Sequence, residues 1–175
     1  APVFAAYGRW VADTLSRAGA NTAYGIMREG RFLNRVVSAV AVCCGQTIET
    51  TDLWLSRRAV VRAALWENDF SLLSQAISYC PGPTTDDILA QLGLARSDLA
   101  ETFKDPAAVD LHAPGGVTAL LTAVSRSISL QSKIAEESAR RRQALLTYLN
   151  KTADLVDRDY LFLLDLGYAG TIQSS

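Results

Sequence analysis

The stretch YLFLLDLGYAGT, Tyr160 to Thr171, decides how the chain is read. Tyr160 to Leu164 is an apolar run of strand type, Asp165 follows it at once, and Gly167, Gly170 and Thr171 come next. A strand that delivers an acid and then a glycine-rich turn, with Thr171, Ile172 and Gln173 opening a helix, is how α/β proteins arrange backbone N–H groups around a phosphate or another anion. Function is therefore expected at this end of the chain. The sequence stops four residues after Thr171 and starts without an initiator Met, already in helical periodicity. It reads as a piece of a longer protein.

Two earlier segments repeat the pattern. Thr22 to Met27 is a β-type run, followed by the polar loop Arg28, Glu29, Gly30 and Arg31 and by a mostly buried helix from Phe32 to Val42. After the connection Gly45 to Thr51, Asp52 to Leu55 reads as a second short strand, Ser56, Arg57 and Arg58 as its carboxyl-end loop, and Ala59 to Trp66 as a helix. Ahead of both, Phe4, Tyr7, Val11, Leu15 and Ala18 recur at three-to-four spacing and mark a covering helix closed by Gly19. Three strands that each feed a helix predict an α/β fold with a Rossmann-like parallel sheet. Strands near Ala23 to Met27, Asp52 to Leu55 and Leu161 to Leu164 are expected to be neighbours in it.

From Asn68 to about Gln131 the texture changes to short helices punctuated by Pro81, Gly82, Pro83, Gly93, Pro106, Pro114, Gly115 and Gly116. This is expected to be a helical insertion (68–131) that covers one end of the sheet and buries Phe70, Leu73, Ile77, Ile88, Leu89 and Leu92. Thr84 or Thr85 can cap the helix Asp86 to Leu92, whose acids Asp86 and Asp87 suit the positive end of the helix dipole, and Gly93 ends it. A long helix follows from roughly Lys133 to Asn150. Its wet side pairs Glu136 with Arg140 and Glu137 with Arg141, and its dry side carries Leu145, Leu146 and Leu149. Residues 1–175 are taken as one α/β domain carrying the insertion.

At 175 residues, 49% hydrophobic and 20% charged, the chain can bury a core and is not disordered. A net charge of −1 gives no basic field for a nucleic-acid partner. The short helices around Gly93, in DDILAQLGLARSDLAETF, carry only Arg96 and Lys104 as cations, too few for a helix-turn-helix. The longest apolar stretch, Val36 to Cys44, is about half the ~20 residues a membrane span needs, so no span is expected. Cys43, Cys44 and Cys80 form neither a CxxC pair nor an even disulfide set; they read as buried small side chains in a reducing, cytoplasmic setting. One histidine, His112, in the loop-like LHAPGG, rules out His-rich metal sites and leaves a Ser/His/Asp triad without a nucleophile motif.

In an open parallel sheet the loops at the carboxyl ends of the strands share one edge, where ligands bind. The residues expected to converge there are Arg28, Glu29, Arg31, Ser56, Arg57, Arg58, Asp165, Gly167, Gly170 and Thr171, with Gln173 in the helix the last turn opens. Guanidinium forks match phosphate oxygens, and glycines let backbone donors approach closely. Asp165 is the candidate catalytic residue, suited to holding a sugar hydroxyl or a metal-bound water, Mg2+ being the ion considered. Plainer readings stand beside these. Arg57 and Arg58 can be solvated residues at a helix start, although cations there oppose the dipole; Arg28 and Glu29 can form a local salt bridge; and Arg140 to Arg142 can be a wet helix face.

Four segments, MREGRFL (27–33), WLSRRAVVRAAL (54–65), RRRQALLTYL (140–149) and LLDLGYAGTIQ (163–173), in this order, carry a family resemblance. The chain resembles a bacterial domain of large multidomain proteins predicted as HAD-superfamily hydrolases, often linked to glycosyltransferases and surface-polysaccharide loci. A HAD phosphatase core needs its aspartate nucleophile in a DxD context, whereas Asp165 here is followed by Leu166 and Gly167. Glycine cannot serve as general acid, so the resemblance implies that any HAD chemistry belongs to a domain upstream. The three loops are also similar in outline to a type I phosphoribosyltransferase: Gly30 in the first, the cations Arg57 and Arg58 in the second, an acid and a Gly-Thr phosphate cradle in the third. The two consecutive acids that hold the ribose diol in that family are reduced to Asp165. The expected function is binding of a sugar phosphate or nucleotide-type ligand, with hydrolase and transferase chemistry both open. The alternative is a noncatalytic module that positions a neighbouring HAD or glycosyltransferase domain.

Overall fold

The computed structural model describes residues 2–27, 29–67, 70–80, 82–154 and 161–165. They fall into two compact units, one from residues up to 56 together with those from 148 onward, the other from 57–147.

The first unit opens with α1 (Pro2–Arg17), which ends where Gly19 turns left-handed at φ +66°. Then come β1 (Thr22–Ile26), α2 (Gly30–Cys43), β2 (Glu49–Leu53) and, after the second unit, β3 (Leu163–Leu164). The three strands form one sheet in the order β2-β1-β3, and both pairings are parallel. The three short runs are thus neighbours in a parallel sheet, as their sequences predict. β1 is central and buried along its whole length, which suits its apolar run Ala23 to Ile26. Val11 and Leu15 of α1, Leu33 and Val37 of α2, Ala23 and Leu164 make the core over the sheet.

Boundaries differ where sequence signals are weak. β2 begins at Glu49 and stops at Leu53, earlier than the predicted Asp52 to Leu55. As an edge strand it is half-exposed, so its polar start carries no apolar alternation to read. Gly30 and Arg31 belong to the first turn of α2 and not to the preceding loop. β3 is shorter than predicted, with Leu161 and Phe162 ahead of it and Tyr160 outside the described residues.

Among its described residues the second unit has helices and connecting turns but no strand. It contains α3 (Arg57–Ala63), which continues as a 3₁₀ turn over Ala64–Glu67, then α4 (Leu73–Ser78), α5 (Thr85–Gln91), 3₁₀ turns at Arg96–Glu101 and Pro106–Ala108, α6 (Gly116–Arg126) and most of α7 (Ile128–Ala153), whose residues from Tyr148 on belong to the first unit. The helical region is wider than the predicted 68–131, and Arg57 and Arg58 start α3 and do not belong to a loop. Leu73, Ile77, Ile88, Leu89 and Leu92 are buried in a core of their own, and Phe70 packs half-buried against it. Thr84 accepts from the Asp87 N–H (3.2 Å) while the Asp87 carboxylate accepts from the Thr84 N–H (3.1 Å), a capping box that starts α5. Gly93, at φ +77°, follows α5, and the next element is a 3₁₀ turn, so no second α-helix stands where a helix-turn-helix needs one.

α7 begins before the predicted Lys133. Its pairing also differs in part: Glu137 meets Arg141 (2.6 Å) as expected, but Arg140 turns to Glu137 (2.7 Å) and not to Glu136. Leu145, Leu146 and Leu149 are half-buried. Of the cysteines only Cys80 is buried; Cys43 is exposed and Cys44 intermediate, because the end of α2 turns both away from the core. His112 is an exposed loop residue. Among the described residues no helix is long and apolar enough to cross a membrane.

Candidate ligand site at the carboxyl edge of the sheet

The chain leaves β1 to one side to make β2 and returns to the other side to make β3, so the strand order reverses at β1. Outside such a reversal, the loops that follow neighbouring parallel strands diverge and leave a crevice. The register fixes which residues meet there. Tyr24 lies opposite Leu163 and Gly25 opposite Leu164, which brings Asp165, one residue on, level with Ile26 at the end of β1, about 5 Å away at the usual strand spacing. The turn after Ile26 leads straight into α2, whose first residue, Gly30, is buried.

Close packing produces this arrangement. A Cβ on Gly30 would lie 2.2 Å from the Gly25 carbonyl carbon, and one on Gly25 would lie 2.5 Å from the Gly30 oxygen. Only paired glycines let the start of α2 sit directly on β1. Glu29 occupies the cap position without a side-chain cap bond, and its carbonyl accepts from Phe32 and Leu33. The first turn of α2 contains no acid and the exposed Glu29 precedes it, so no carboxylate of the helix itself occupies the positive end of its dipole.

Tyr7 of α1 is close enough to Asp165 to feel its charge. Burial, and after it the Asp165 carboxylate, push the Tyr7 phenol above its ordinary value. Protonated and half-buried, Tyr7 is a hydrogen-bond donor at this edge. Phe4 and Phe32 stack edge to face there, with ring centroids 4.8 Å apart. Trp54, just past β2, is exposed, its backbone N–H donates to the Tyr148 hydroxyl (2.7 Å), and the Arg31 guanidinium lies 6.0 Å above its ring.

Beside the edge, along α2 and β2, Asp52 is clasped from two sides. Arg31 Nε donates to Oδ2 (2.8 Å) and Asn34 Nδ2 to Oδ1 (2.9 Å). The Arg31 hydrogen bond first, and that of Asn34 second, hold the Asp52 carboxyl below the usual carboxylate range. These three, with Arg35, Ser38 and Thr50, line a groove of about 440 Å³. Arg31, expected among the residues that converge at the edge, is paired with Asp52. Sequence reading missed Asp52 and Asn34 as a pair, because Asp52 stands at an assumed strand start and Asn34 inside an apolar helix.

Of the predicted site residues, Glu29 and Asp165 lie on neighbouring carboxyl ends. Ser56, exposed, ends the first unit past β2, and Arg57 and Arg58, both exposed, belong to the second unit. Arg28, Gly167, Gly170, Thr171 and Gln173 lie outside the described residues. Among the described residues no cluster of three His, Cys, Asp or Glu side chains is placed to hold a metal ion. No protein-family model matches the chain, and no curated protein matches it.

Proposed function

We propose that the sheet unit binds a phosphorylated small molecule, a sugar phosphate or nucleotide-type ligand, at the carboxyl edge between β1 and β3. The observation that carries this reading is the reversal of strand order at β1, which leaves Asp165 beside the amino end of α2. An anion at that helix end would meet backbone N–H groups and a favourable dipole. Asp165 and Tyr7 would take a hydroxyl and a ring oxygen of the attached polyol, the carboxylate accepting and the phenol donating. The aromatic rim of Phe4, Phe32 and Trp54 offers apolar faces to a sugar or base. Arg28 and the turn Gly167 to Thr171 supply the remaining phosphate contacts in this reading, with Ser56 and Gln173 as further candidates.

Isothermal titration against sugar phosphates, nucleotide sugars and phosphoribosyl diphosphate tests it. Arg28→Ala and Thr171→Ala should each weaken binding by tenfold to a hundredfold, which corresponds to losing a charge-assisted contact of roughly 1.5 to 3 kcal/mol. If turnover is found, Asp165→Asn should lower it more than it lowers affinity. A protein that binds none of the panel overturns the reading in favour of a noncatalytic module that positions a neighbouring HAD or glycosyltransferase domain.

A further inference from the structure

We propose that the helical unit holds a second, separate oxyanion site between α3 and α7, in which Arg58, Arg62 and Arg141 receive a phosphoryl group. Arg62 is half-buried on α3, where its Nε donates to the Arg58 carbonyl (3.0 Å) and its Nη1 to the Gln91 side-chain oxygen (3.2 Å). Both partners are neutral. Among the described residues no carboxylate pairs with Arg62 or with Arg58.

The titratable groups that face Arg62 are Arg141 and Glu137 from α7, Arg58 from its own helix, and the Cys80 thiol. Burial first, and Arg141 next, lower the Arg62 pKa, so its charge stands in surroundings that disfavour it. Glu137 offers little relief, since it already holds Arg140 through two bonds (2.8 and 2.7 Å) and Arg141 through another (2.6 Å). Cations outnumber acids here, and one of them has an unused donor: Arg141 Nε–H is buried without an acceptor. Buried donors are rarely left in this state.

Against these groups lies a cavity of about 10 Å³, bounded by Arg62, Gln91, Glu137, Ser138 and Arg141. That is room for one oxygen atom. A water there would satisfy Arg141 Nε–H and leave the excess of charge in place; a phosphoryl oxygen would satisfy the donor and offset the charge together. Arg58 lies one turn before Arg62 on the same helix face and is exposed, placed to meet the oxygens that stay outside.

This site lies within the helical unit and draws on none of the residues of the sheet unit, and so can fail independently of the site proposed there. The test is titration of the full chain with inorganic phosphate at constant ionic strength, by calorimetry, with circular dichroism confirming the fold of each variant. Saturable binding is expected, weakened at least tenfold by Arg62→Gln and by Arg141→Lys, which keeps the charge but removes the Nε donor, and severalfold by Arg58→Gln. Arg17→Gln, an exposed position on α1 that belongs to neither site, should leave it unaltered. If Arg62→Gln does not fold, Arg141→Lys and Arg58→Gln decide the matter. Absence of phosphate binding, or binding that Arg141→Lys and Arg58→Gln leave unchanged, overturns the proposal.

Discussion

Gly25 in β1 and Gly30 at the start of α2 touch backbone to backbone, so closely that a methyl group on either would overlap the other's carbonyl. Neither needs a left-handed conformation. The constraint is space, and it sets how near the amino end of α2 comes to the sheet edge. Gly30→Ala should therefore destabilise the protein by about 1 to 3 kcal/mol, the usual cost of overpacking, and the same change at Gly25 by a similar amount. Urea unfolding checks this; a midpoint shared with the wild type would mean that α2 does not sit where the glycines put it.

Asp52 gives a pH prediction. Its folded pKa lies below the unfolded value because Arg31 and Asn34 donate to the carboxylate. The stability it contributes is present above the unfolded pKa, about 3.9, and is lost as the pH falls through the lower folded value. Arg31→Ala removes the larger cause. Stability followed from pH 6 to pH 2 should fall less steeply below about pH 4 in that variant than in the wild type. Equal acid slopes would show that the pair has no influence on Asp52.

The Tyr148 hydroxyl accepts from Trp54 N–H at 2.7 Å, just past the end of the edge strand β2. Tyr148→Phe keeps the ring and removes the acceptor, and should cost about 1 kcal/mol. Amide hydrogen exchange at Trp54 should also speed up. Unchanged exchange there would argue that the bond does not persist in solution.

Much of the sheet was legible because β1 is buried on both faces and so spells an unbroken apolar run. β2 was harder. Glu49, Thr50 and Thr51 lie on an edge where nothing forces alternation, so the start of the strand leaves no mark in the sequence. The core of the helical unit, from Leu73 to Leu92, followed from spacing, and the Thr84 cap from local chemistry. What periodicity could not reveal were partners set by tertiary contact. Arg31 turns to Asp52, 21 residues away, and Arg140 turns one position aside to a glutamate it shares with Arg141. The reversal of strand order at β1 was equally hidden, since a list of strands does not say on which side the third one lands.

Asp98 offers a check within the helical unit. Its carboxylate caps the Ala95 N–H (2.8 Å) and meets Lys133 Nζ at 2.5 Å, with the Asp98 side chain only 14% exposed. Lys133→Ala leaves a largely buried carboxylate without its cation and should cost about 1 to 3 kcal/mol, in thermal unfolding at neutral pH. The loss should shrink as the pH drops below 4, where protonation of Asp98 relieves it. A loss independent of pH would assign the effect to packing of the lysine stem.

The central claim is that a phosphorylated ligand sits between β1 and β3 against the amino end of α2. Amide chemical shifts followed during titration with a sugar phosphate test it most directly. The account predicts saturable shifts at Gly30, Arg31 and Asp165, with little change along β2. Shifts absent from these three residues while the ligand binds elsewhere, or no binding at all, would contradict it.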